Sequence, residues 1–304
     1  MSVLAHKWVA SGALKGKPAF ARARVCVVLH GIMGSGRNWM TAARQIVKRA
    51  PHYKVLLVDH RGHGENGTRI EGPHDLDACG RDVVATVRAA TGAAAPTPST
   101  PEALLACGTA PMVLGHSFGG KVALAYARNR VDSGHRAPNR TWLLDSNPQH
   151  ARGASASTTK HVLGVLKQAV KLWYPTKNDA IDSLVLMGLD DPTARWLAMT
   201  TKKDADGRVV FTYDVEAVEA MYASYNNSDC TLIARELAAT DQFGLVVAGR
   251  GRMGLFDPKS DIEGEMGLPG SAIFNMADAG HNVHVDDLPG LLDILLNRNA
   301  ADWS

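Results

Sequence analysis

Residues 113–127 read VLGHSFGGKVALAYA: a short apolar run, five residues that include two glycines, and then a helix-forming run. The middle five residues, Gly115 to Gly119, fit the pattern Gly-x-Ser-x-Gly with Ser117 at the centre. Between a strand and a helix, this pattern predicts a tight, strained turn that projects the serine hydroxyl above the edge of a sheet. A chain that contains it is therefore constrained to a sheet whose strands lead directly into helices.

Continuous apolar runs of strand length recur along the chain and alternate with helical patterns. Such runs are typical of parallel strands buried on both faces, and the alternation requires right-handed crossovers through helices. The predicted class is therefore α/β, with a doubly wound, mostly parallel central sheet and helices on both faces. The predicted strands are Val3–Val9, Val25–Leu29, Val55–Val58, Met112–Leu114, Trp142–Leu144, Leu245–Ala248 and Ser271–Asn275, and the predicted core helices are Trp39–Lys48, Asp75–Ala90, Phe118–Arg130 and Leu288–Leu296.

Two segments interrupt this alternation. Residues 91–110 are rich in Ala, Pro and Thr and predict a surface loop. Residues 150–238 contain no buried-strand run, and their apolar residues follow helical spacing. A helical block inserted after the middle strands predicts a cap over the carboxyl edge of the sheet, where ligands bind in open α/β sheets. We therefore expect a core of residues 1–149 and 239–304 and a helical cap of residues 150–238.

Charge and hydropathy exclude several classes of partner. The formal net charge is +3, from 33 Lys and Arg against 30 Asp and Glu, and no basic run is interleaved with aromatic residues, so nucleic acid is not an expected partner. The apolar runs fall far below the ~18 residues of a membrane span, so no integral membrane segment is expected. Four scattered cysteines indicate reduced thiols in an intracellular protein. The expected protein is soluble and a monomer or homodimer. No acidic residue precedes Asp59, a composition that resembles transit peptides. The expected compartments are therefore the cytoplasm, the plastid or the mitochondrion.

A nucleophilic serine needs a base, and the late segment MADAGHNVHVDD supplies one. His281 follows the last predicted strand in an Ala-Gly-His turn, and the chain order serine, acid, histidine is the one expected around such a serine. For His284, three residues later, packing or hydrogen bonding is favoured over metal binding. No H-E-x-x-H or similar motif accompanies the pair, so neither a metal nor an organic cofactor is expected.

The segment LHGIMGSGRNW follows the first predicted parallel strand. His30-Gly31 and the small residues after it let the backbone N–H of Ile32 face the serine, and the N–H of Phe118 would complete an oxyanion hole. One such donor contributes ~2.7–4 kcal/mol to a transition state. A phosphate cradle would need a Walker lysine or a G-x-G-x-x-G pattern, and residues 31–36 have neither.

The stretch DHRGHGE, residues 59–65, also holds an aspartate and two histidines. It follows a buried strand and predicts a structural turn. Arg61 and His63 are expected to make hydrogen bonds within that loop rather than to take part in catalysis.

Five motifs, in order, resemble the serine α/β-hydrolases and, more narrowly, a small-acyl esterase branch of that family. The pattern of the branch is LHGxxGSxxNW, VDxRxHG, GHSxGGKxA, DxxP and AGHxVH. The resemblance covers nearly the whole chain apart from residues 91–110, and Lys121 after the double glycine makes it more specific than the serine motif alone. It implies the α/β-hydrolase fold with an inserted cap and a Ser-His-Asp triad. The corresponding segments here are Leu29–Trp39, Val58–Gly64, Gly115–Ala123, Asp145–Pro148 and Ala279–His284.

The acid of this triad stays open at the level of sequence. In most α/β-hydrolases it stands a few residues past the penultimate strand, but this chain has Arg252 there. Asp257 and Asp261 come later and would need the loop to fold back. In the branch that the chain resembles, the acid can come instead from the strand after the nucleophile helix, which points to Asp145 in TWLLDSNP. We favour Asp145 over Asp257, with a turn-forming role for Asp145 as the alternative.

Together these residues predict hydrolysis of an acyl ester or thioester through an acyl-enzyme. Ser117 would attack the carbonyl, His281 would transfer the proton and Asp145 would orient the imidazole. Two other functions stay open: ligand capture by a hydrolase-fold receptor with slow turnover, and cofactor-free haloperoxidase or C–C bond hydrolase chemistry. A small or medium uncharged acyl group is indicated by apolar side chains of the predicted cap, namely Leu166, Trp173, Leu186 and Trp196.

Overall fold

The computed structural model describes residues 1–14, 16, 19–67, 70–92, 111–150, 155–251, 253 and 256–297. The strands are β1 (His6–Ala10), β2 (Arg24–Leu29), β3 (Tyr53–Val58), β4 (Met112–His116), β5 (Arg140–Leu144), β6 (Thr201–Lys203), β7 (Val209–Phe211), β8 (Phe243–Ala248) and β9 (Ile273–Met276). Seven of them form one sheet in the order β1-β3-β2-β4-β5-β8-β9. Strand β1 is antiparallel to β3, and the other neighbours in this sheet are parallel.

The helices are α1 (Ala19–Arg22), α2 (Met40–Arg49), α3 (Leu76–Thr91), α4 (Phe118–Asp132), α5 (Ser155–Ala169), α6 (Lys177–Leu186), α7 (Asp191–Ala198), α8 (Val215–Asn227), α9 (Thr231–Ala239), α10 (Val283–Asp286) and α11 (Leu288–Asn297). Short 3-10 turns lie at Gly36–Trp39, Gly64–Asn66 and Gly270–Ala272, and Pro258–Glu265 forms a π-helix. None of the helices in the described parts of the chain is long and apolar enough to cross a membrane.

Both faces of the sheet are covered, because successive side chains of a strand point to opposite sides. In β2, Val27 and Leu29 pack in the core cluster that contains residues of α3 and α4. Cys26 and Val28 pack in the cluster that contains residues of α2 and α11. Every residue of strand β3 is buried, and because both faces are covered its residues Val55–Val58 are apolar without alternation. The predicted α/β class, with a mostly parallel sheet between helices, is therefore confirmed.

Helices α5 to α9 and the hairpin β6–β7 lie in the chain between β5 and β8. The apolar spacing of residues 150–238 predicted helices in this inserted segment and no buried strand. The hairpin is an addition to that expectation, because its strands have three residues each and are too short for a period-two pattern. Most of the loop predicted for residues 91–110, from residue 93 onward, lies outside the described residues.

The parallel register places three chain segments along one edge of the sheet. His116, the last residue of β4, pairs with Leu144, the last residue of β5, and Leu144 pairs with Val246 of β8. The residues that follow β4 and β5 are Ser117 and Asp145. These two side chains therefore start from adjacent positions at the carboxyl edge, where the loop after β9 also arrives.

Candidate active site

Ser117 occupies a strained turn between β4 and α4. Its backbone has φ +51° and ψ −118°, a sparsely populated conformation for a residue with a side chain. The glycines beside it permit the turn: a Cβ on Gly115 would overlap the carbonyl of Gly119, and a Cβ on Gly119 would overlap the carbonyl of Leu29.

Hydrogen bonds from the neighbouring strand hold the backbone of Ser117 in this turn. Its N–H donates to the carbonyl of Leu144 at 3.0 Å. Its carbonyl accepts from the hydroxyl of Ser146 at 2.6 Å and from the N–H of Gly120 at 2.9 Å. Backbone strain persists only where surrounding contacts over-determine it, and here β5 and the start of α4 supply those contacts.

A short hydrogen bond joins His281 to Asp145. The Nδ1 atom of His281 lies 2.5 Å from Oδ2 of Asp145, whose side chain is fully buried. The other carboxylate oxygen accepts from the backbone N–H groups of Met253 at 3.0 Å and Ala248 at 3.3 Å. The carboxylate is thus fixed on both sides, and it in turn fixes the orientation of the imidazole ring.

Asp257, the alternative acid, has a different environment. It is exposed and caps the π-helix Pro258–Glu265, where one carboxylate oxygen accepts from the N–H groups of Lys259 at 3.0 Å and Ser260 at 2.7 Å. These hydrogen bonds lower the pKa of the Asp257 carboxyl. The structure therefore brings Asp145 to His281 and gives Asp257 a capping role. Arg252 lies outside the described residues.

The loop after β2 reaches the serine. A Cβ placed on Gly31 would lie 3.4 Å from the Cβ of Ser117, so the backbone of this loop passes directly beside the nucleophile candidate. The Ile32 N–H has no hydrogen bond to the parts of the chain that the structure describes. Phe118 is the first residue of α4, a position whose N–H has no acceptor within a helix. Neither predicted donor therefore has an acceptor among the described residues, which leaves both N–H groups available to an external oxygen.

Three buried histidines, His30, His60 and His63, support this loop. His30 donates from Nδ1 to the carbonyl of Gly31 at 2.8 Å and accepts the N–H of His60 on Nε2 at 3.0 Å. His60 donates from Nε2 to the carbonyl of His30 at 3.0 Å. His63 donates from Nδ1 to the carbonyl of Arg61 at 2.8 Å and accepts the Met33 N–H on Nε2 at 2.9 Å. Since His30 and His63 each accept a hydrogen bond on one ring nitrogen, they are neutral.

Burial enforces this neutrality. It lowers the pKa of His30 to about 4 and that of His63 to about 3, and it lowers the pKa of His60 well below its ordinary value. Arg61 forms a buried ion pair with Asp82 at 2.6 Å. The hydrogen bond within the loop is observed for His63, whereas the side chain of Arg61 pairs with Asp82 of α3. The sequence missed the histidine cluster, because the three rings come from two separate loops.

The other residues singled out in the sequence have structural contacts. His284 is buried and stacks on Trp39, with ring centroids 3.9 Å apart and an interplanar angle of 14°. Burial lowers its pKa to about 4. His116 donates from Nε2 to the carbonyl of His281 at 2.8 Å, and this hydrogen bond joins the loop after β9 to β4. Among the described residues, no group of three or more His, Cys, Asp or Glu side chains is arranged to hold a metal.

The apolar side chains of the inserted segment fall into different environments. Leu166 is fully buried in the core, Trp196 is partly buried against it, and Trp173 and Leu186 are 56% and 88% exposed. Trp173 and Leu186 lie on the surface, so they give no support to the inference of an apolar acyl group. Sequence periodicity detects an apolar stripe but does not distinguish a buried stripe from an exposed one.

Lys121 is a buried cation at the junction of α4 and the inserted segment. Its Nζ donates to the backbone carbonyls of Gln149, Tyr225 and Ser228 at 2.6, 2.7 and 2.8 Å and lies 4.4 Å from the centre of the Tyr225 ring. Burial lowers its pKa to about 8, yet three carbonyl oxygens favour the charged form at pH 7. The position after the double glycine therefore ties the chain just before the inserted segment and the carboxyl end of α8 to the core.

Replacing Lys121 with methionine is expected to lower the free energy of unfolding by ~3–5 kcal/mol, because it leaves three buried carbonyls without their shared donor. Urea unfolding followed by circular dichroism measures the change. Lys160→Met is the matched control, since Lys160 is an exposed lysine in α5 and its replacement should stay within ~0.5 kcal/mol of the wild type. Equal effects of the two substitutions would show that the carbonyl cage around Lys121 contributes no stability.

The sheet order and the strained serine after its fourth strand define a class of α/β proteins that carry their site at the carboxyl edge. The chain belongs to the alpha/beta hydrolase family, whose model matches residues 26–291. The fold is similar to that of an esterase from a marine microorganism, with a TM-score of 0.68, 15% identity and 100% coverage of both chains.

Two curated relatives are similar over shorter stretches. RutD of Caulobacter sp. (strain K31), described as a carbamate hydrolase, is 31% identical over 117 residues. The mouse sn-1-specific diacylglycerol lipase ABHD11 is 35% identical over 107 residues. These stretches cover 38% and 35% of this chain, and only 36% and 28% of the relatives' own lengths.

Proposed function

We propose that this protein is a serine hydrolase that cleaves the ester or thioester bond of a small or medium apolar acyl group. The observation that carries the proposal is the 2.5 Å hydrogen bond between His281 and the doubly held carboxylate of Asp145, at the same sheet edge as the strained Ser117. A histidine oriented by a buried carboxylate, at the sheet edge where a serine occupies a strained turn, is the constellation that nucleophilic acyl transfer requires.

In the proposed mechanism, Ser117 attacks the substrate carbonyl while Nε2 of His281 takes its proton. Asp145 keeps the proton of the imidazole on Nδ1 and stabilises the imidazolium that forms. The N–H groups of Ile32 and Phe118 bind the oxyanion, and the amino-terminal end of α4 adds the positive end of its dipole. His281 then protonates the leaving alcohol or thiol. Water, activated by the same histidine, hydrolyses the acyl-enzyme.

The domain organisation follows from this proposal. Residues 1–149 and 239–304 form the catalytic core, and residues 150–238 form a cap that shapes the acyl site. Support comes from the carbonyls that Lys121 holds: Gln149 stands just before this segment, and Tyr225 and Ser228 lie within it. The two curated relatives are described as acting on a carbamate and on a diacylglycerol, in which the reacting carbonyl is bonded to a heteroatom. An oxygen or thio ester fits the same chemistry.

The test combines covalent labelling with a substrate series. A fluorophosphonate is expected to add to the peptide that contains Ser117 in the wild-type protein and to leave Ser117→Ala unlabelled, as read by mass spectrometry. p-Nitrophenyl esters of graded acyl length then report the preferred acyl group. Hydrolysis by Ser117→Ala at the wild-type rate would contradict the enzyme proposal. Slow turnover together with a large ligand-induced rise in melting temperature would instead favour the receptor function.

A further inference from the structure

The turn that carries the Ile32 N–H is under conformational strain. The N–H of Gly34 donates to the carbonyl of Gly31 at 2.9 Å, which closes a four-residue turn with Ile32 and Met33 in its centre. Met33 has φ +59°, a left-handed conformation that is costly for a residue with a side chain. The turn therefore keeps this shape only while its surroundings hold it.

Two buried side chains hold the backbone of Met33, one at its N–H and one at its carbonyl. His63 accepts the N–H at 2.9 Å, and the Tyr213 hydroxyl donates to the carbonyl at 2.5 Å. The two rings also touch edge to face, with centroids 5.8 Å apart. Burial raises the pKa of the Tyr213 hydroxyl, so the group stays protonated and remains a donor.

Tyr213 belongs to the inserted segment and not to the sheet. It lies between the hairpin strand β7 and helix α8, and it is 4% exposed. The next residue, Asp214, donates its N–H to the carbonyl of Gly62 at 3.0 Å, in the loop that presents His63. A Cβ on Gly62 would lie 3.2 Å from the Cβ of Ala217 in α8, so the two elements are in close contact.

We propose that Tyr213 is a positioning residue for the oxyanion hole. Its hydroxyl sets the orientation of the Gly31–Gly34 turn and thereby directs the Ile32 N–H at the developing oxyanion. The inserted segment consequently does more than cover the site, because its seating on the core determines whether this donor is aligned. The inference rests on the proposed function, since it assigns a role in the same reaction.

The matched pair of variants is Tyr213→Phe and Tyr174→Phe. Tyr174 is also a buried tyrosine of the inserted segment, but its hydroxyl lies 3.5 Å from that of Ser183. For Tyr213→Phe, kcat per fluorophosphonate-titrated site is expected to fall ~10–100-fold with KM within about twofold, because the donor is misaligned in the transition state and ground-state binding is unchanged. Tyr174→Phe is expected to keep the wild-type kcat.

Hydrogen exchange of the peptide covering residues 30–36 gives a second readout that needs no turnover. Tyr213→Phe is expected to accelerate its exchange by about tenfold or more, since the turn opens locally once its carbonyl is released. Equal kcat and equal exchange in both variants, with an active wild type, would overturn the positioning role alone. A wild type that hydrolyses no ester and takes no fluorophosphonate label would overturn the proposed function, and the positioning role with it.

Discussion

Replacing Asp145 with asparagine is expected to lower kcat/KM about 10⁴-fold while leaving the fold intact. The asparagine oxygen can still accept the N–H groups of Met253 and Ala248, so its amide NH₂ faces Nδ1 of His281. The imidazole must then carry its proton on Nε2, the atom that accepts the proton of Ser117 in the proposed mechanism. The variant therefore holds the histidine in the wrong tautomer.

The measurement is p-nitrophenyl ester hydrolysis by purified variants whose circular dichroism matches that of the wild type. Asp257→Asn is the control, because Asp257 is exposed and caps the π-helix. It is expected to keep the wild-type kcat/KM. Inactive Asp257→Asn beside fully active Asp145→Asn would reverse the assignment of the acid.

Acid is expected to destabilise this protein strongly between pH 7 and pH 5. In the unfolded chain the histidines bind protons near pH 6.5, whereas in the folded state burial lowers the pKa of His30 and His284 to about 4 and that of His63 to about 3. His60 shifts in the same direction. The unfolded state therefore binds more protons than the folded state over this range. The contribution of these histidines to the free energy of unfolding is fully present above pH 6.5 and is lost as the pH falls toward their pKa values in the folded state.

His30, His63 and His284 each contribute about 2 kcal/mol between pH 7 and pH 5, so their combined loss should be about 6 kcal/mol, a large share of an ordinary stability. Urea unfolding at half-unit pH intervals measures it. His63→Gln should reduce the slope by one proton, or ~1.4 kcal/mol per pH unit. His161→Gln should leave it unchanged, because His161 is exposed. A free energy of unfolding that is constant from pH 7 to pH 5 would contradict this account of the buried rings.

The central sheet was predictable from short stretches of sequence. Runs such as Val55–Val58 are apolar at every position, and a strand of that kind is stable only when both faces are covered by helices. The chain order of strands and helices then restricts the topology through right-handed crossovers. The pairing of β1 with β3 at the edge was not predictable, because one strand's pattern does not specify its neighbour or direction.

The strained turn at Ser117 could be predicted from sequence, because the glycines that permit it lie within two positions of the serine. The glycines at 115 and 119 are required where backbones approach too closely for a Cβ, and that requirement is visible in five letters of sequence. His281 was detectable for a similar reason, from a short Ala-Gly-His turn after the last strand. The residues that meet these steric demands lie within a few positions of each other, so a sequence pattern records them.

The carboxylate that meets His281 is a different case, since 136 residues of chain separate it from the ring. The sequence favoured Asp145 over Asp257 only through a family resemblance, and the observed contact depends on strand order and on which backbone amides surround each side chain. The hydrogen bond from Tyr213 to Met33 joins residues 180 positions apart, and the carbonyl cage of Lys121 also joins distant segments. Neither contact could be predicted from sequence, because both depend on tertiary packing. Local turns follow from neighbouring residues, whereas partners across the sheet edge exist only after packing has brought distant segments within hydrogen-bonding distance.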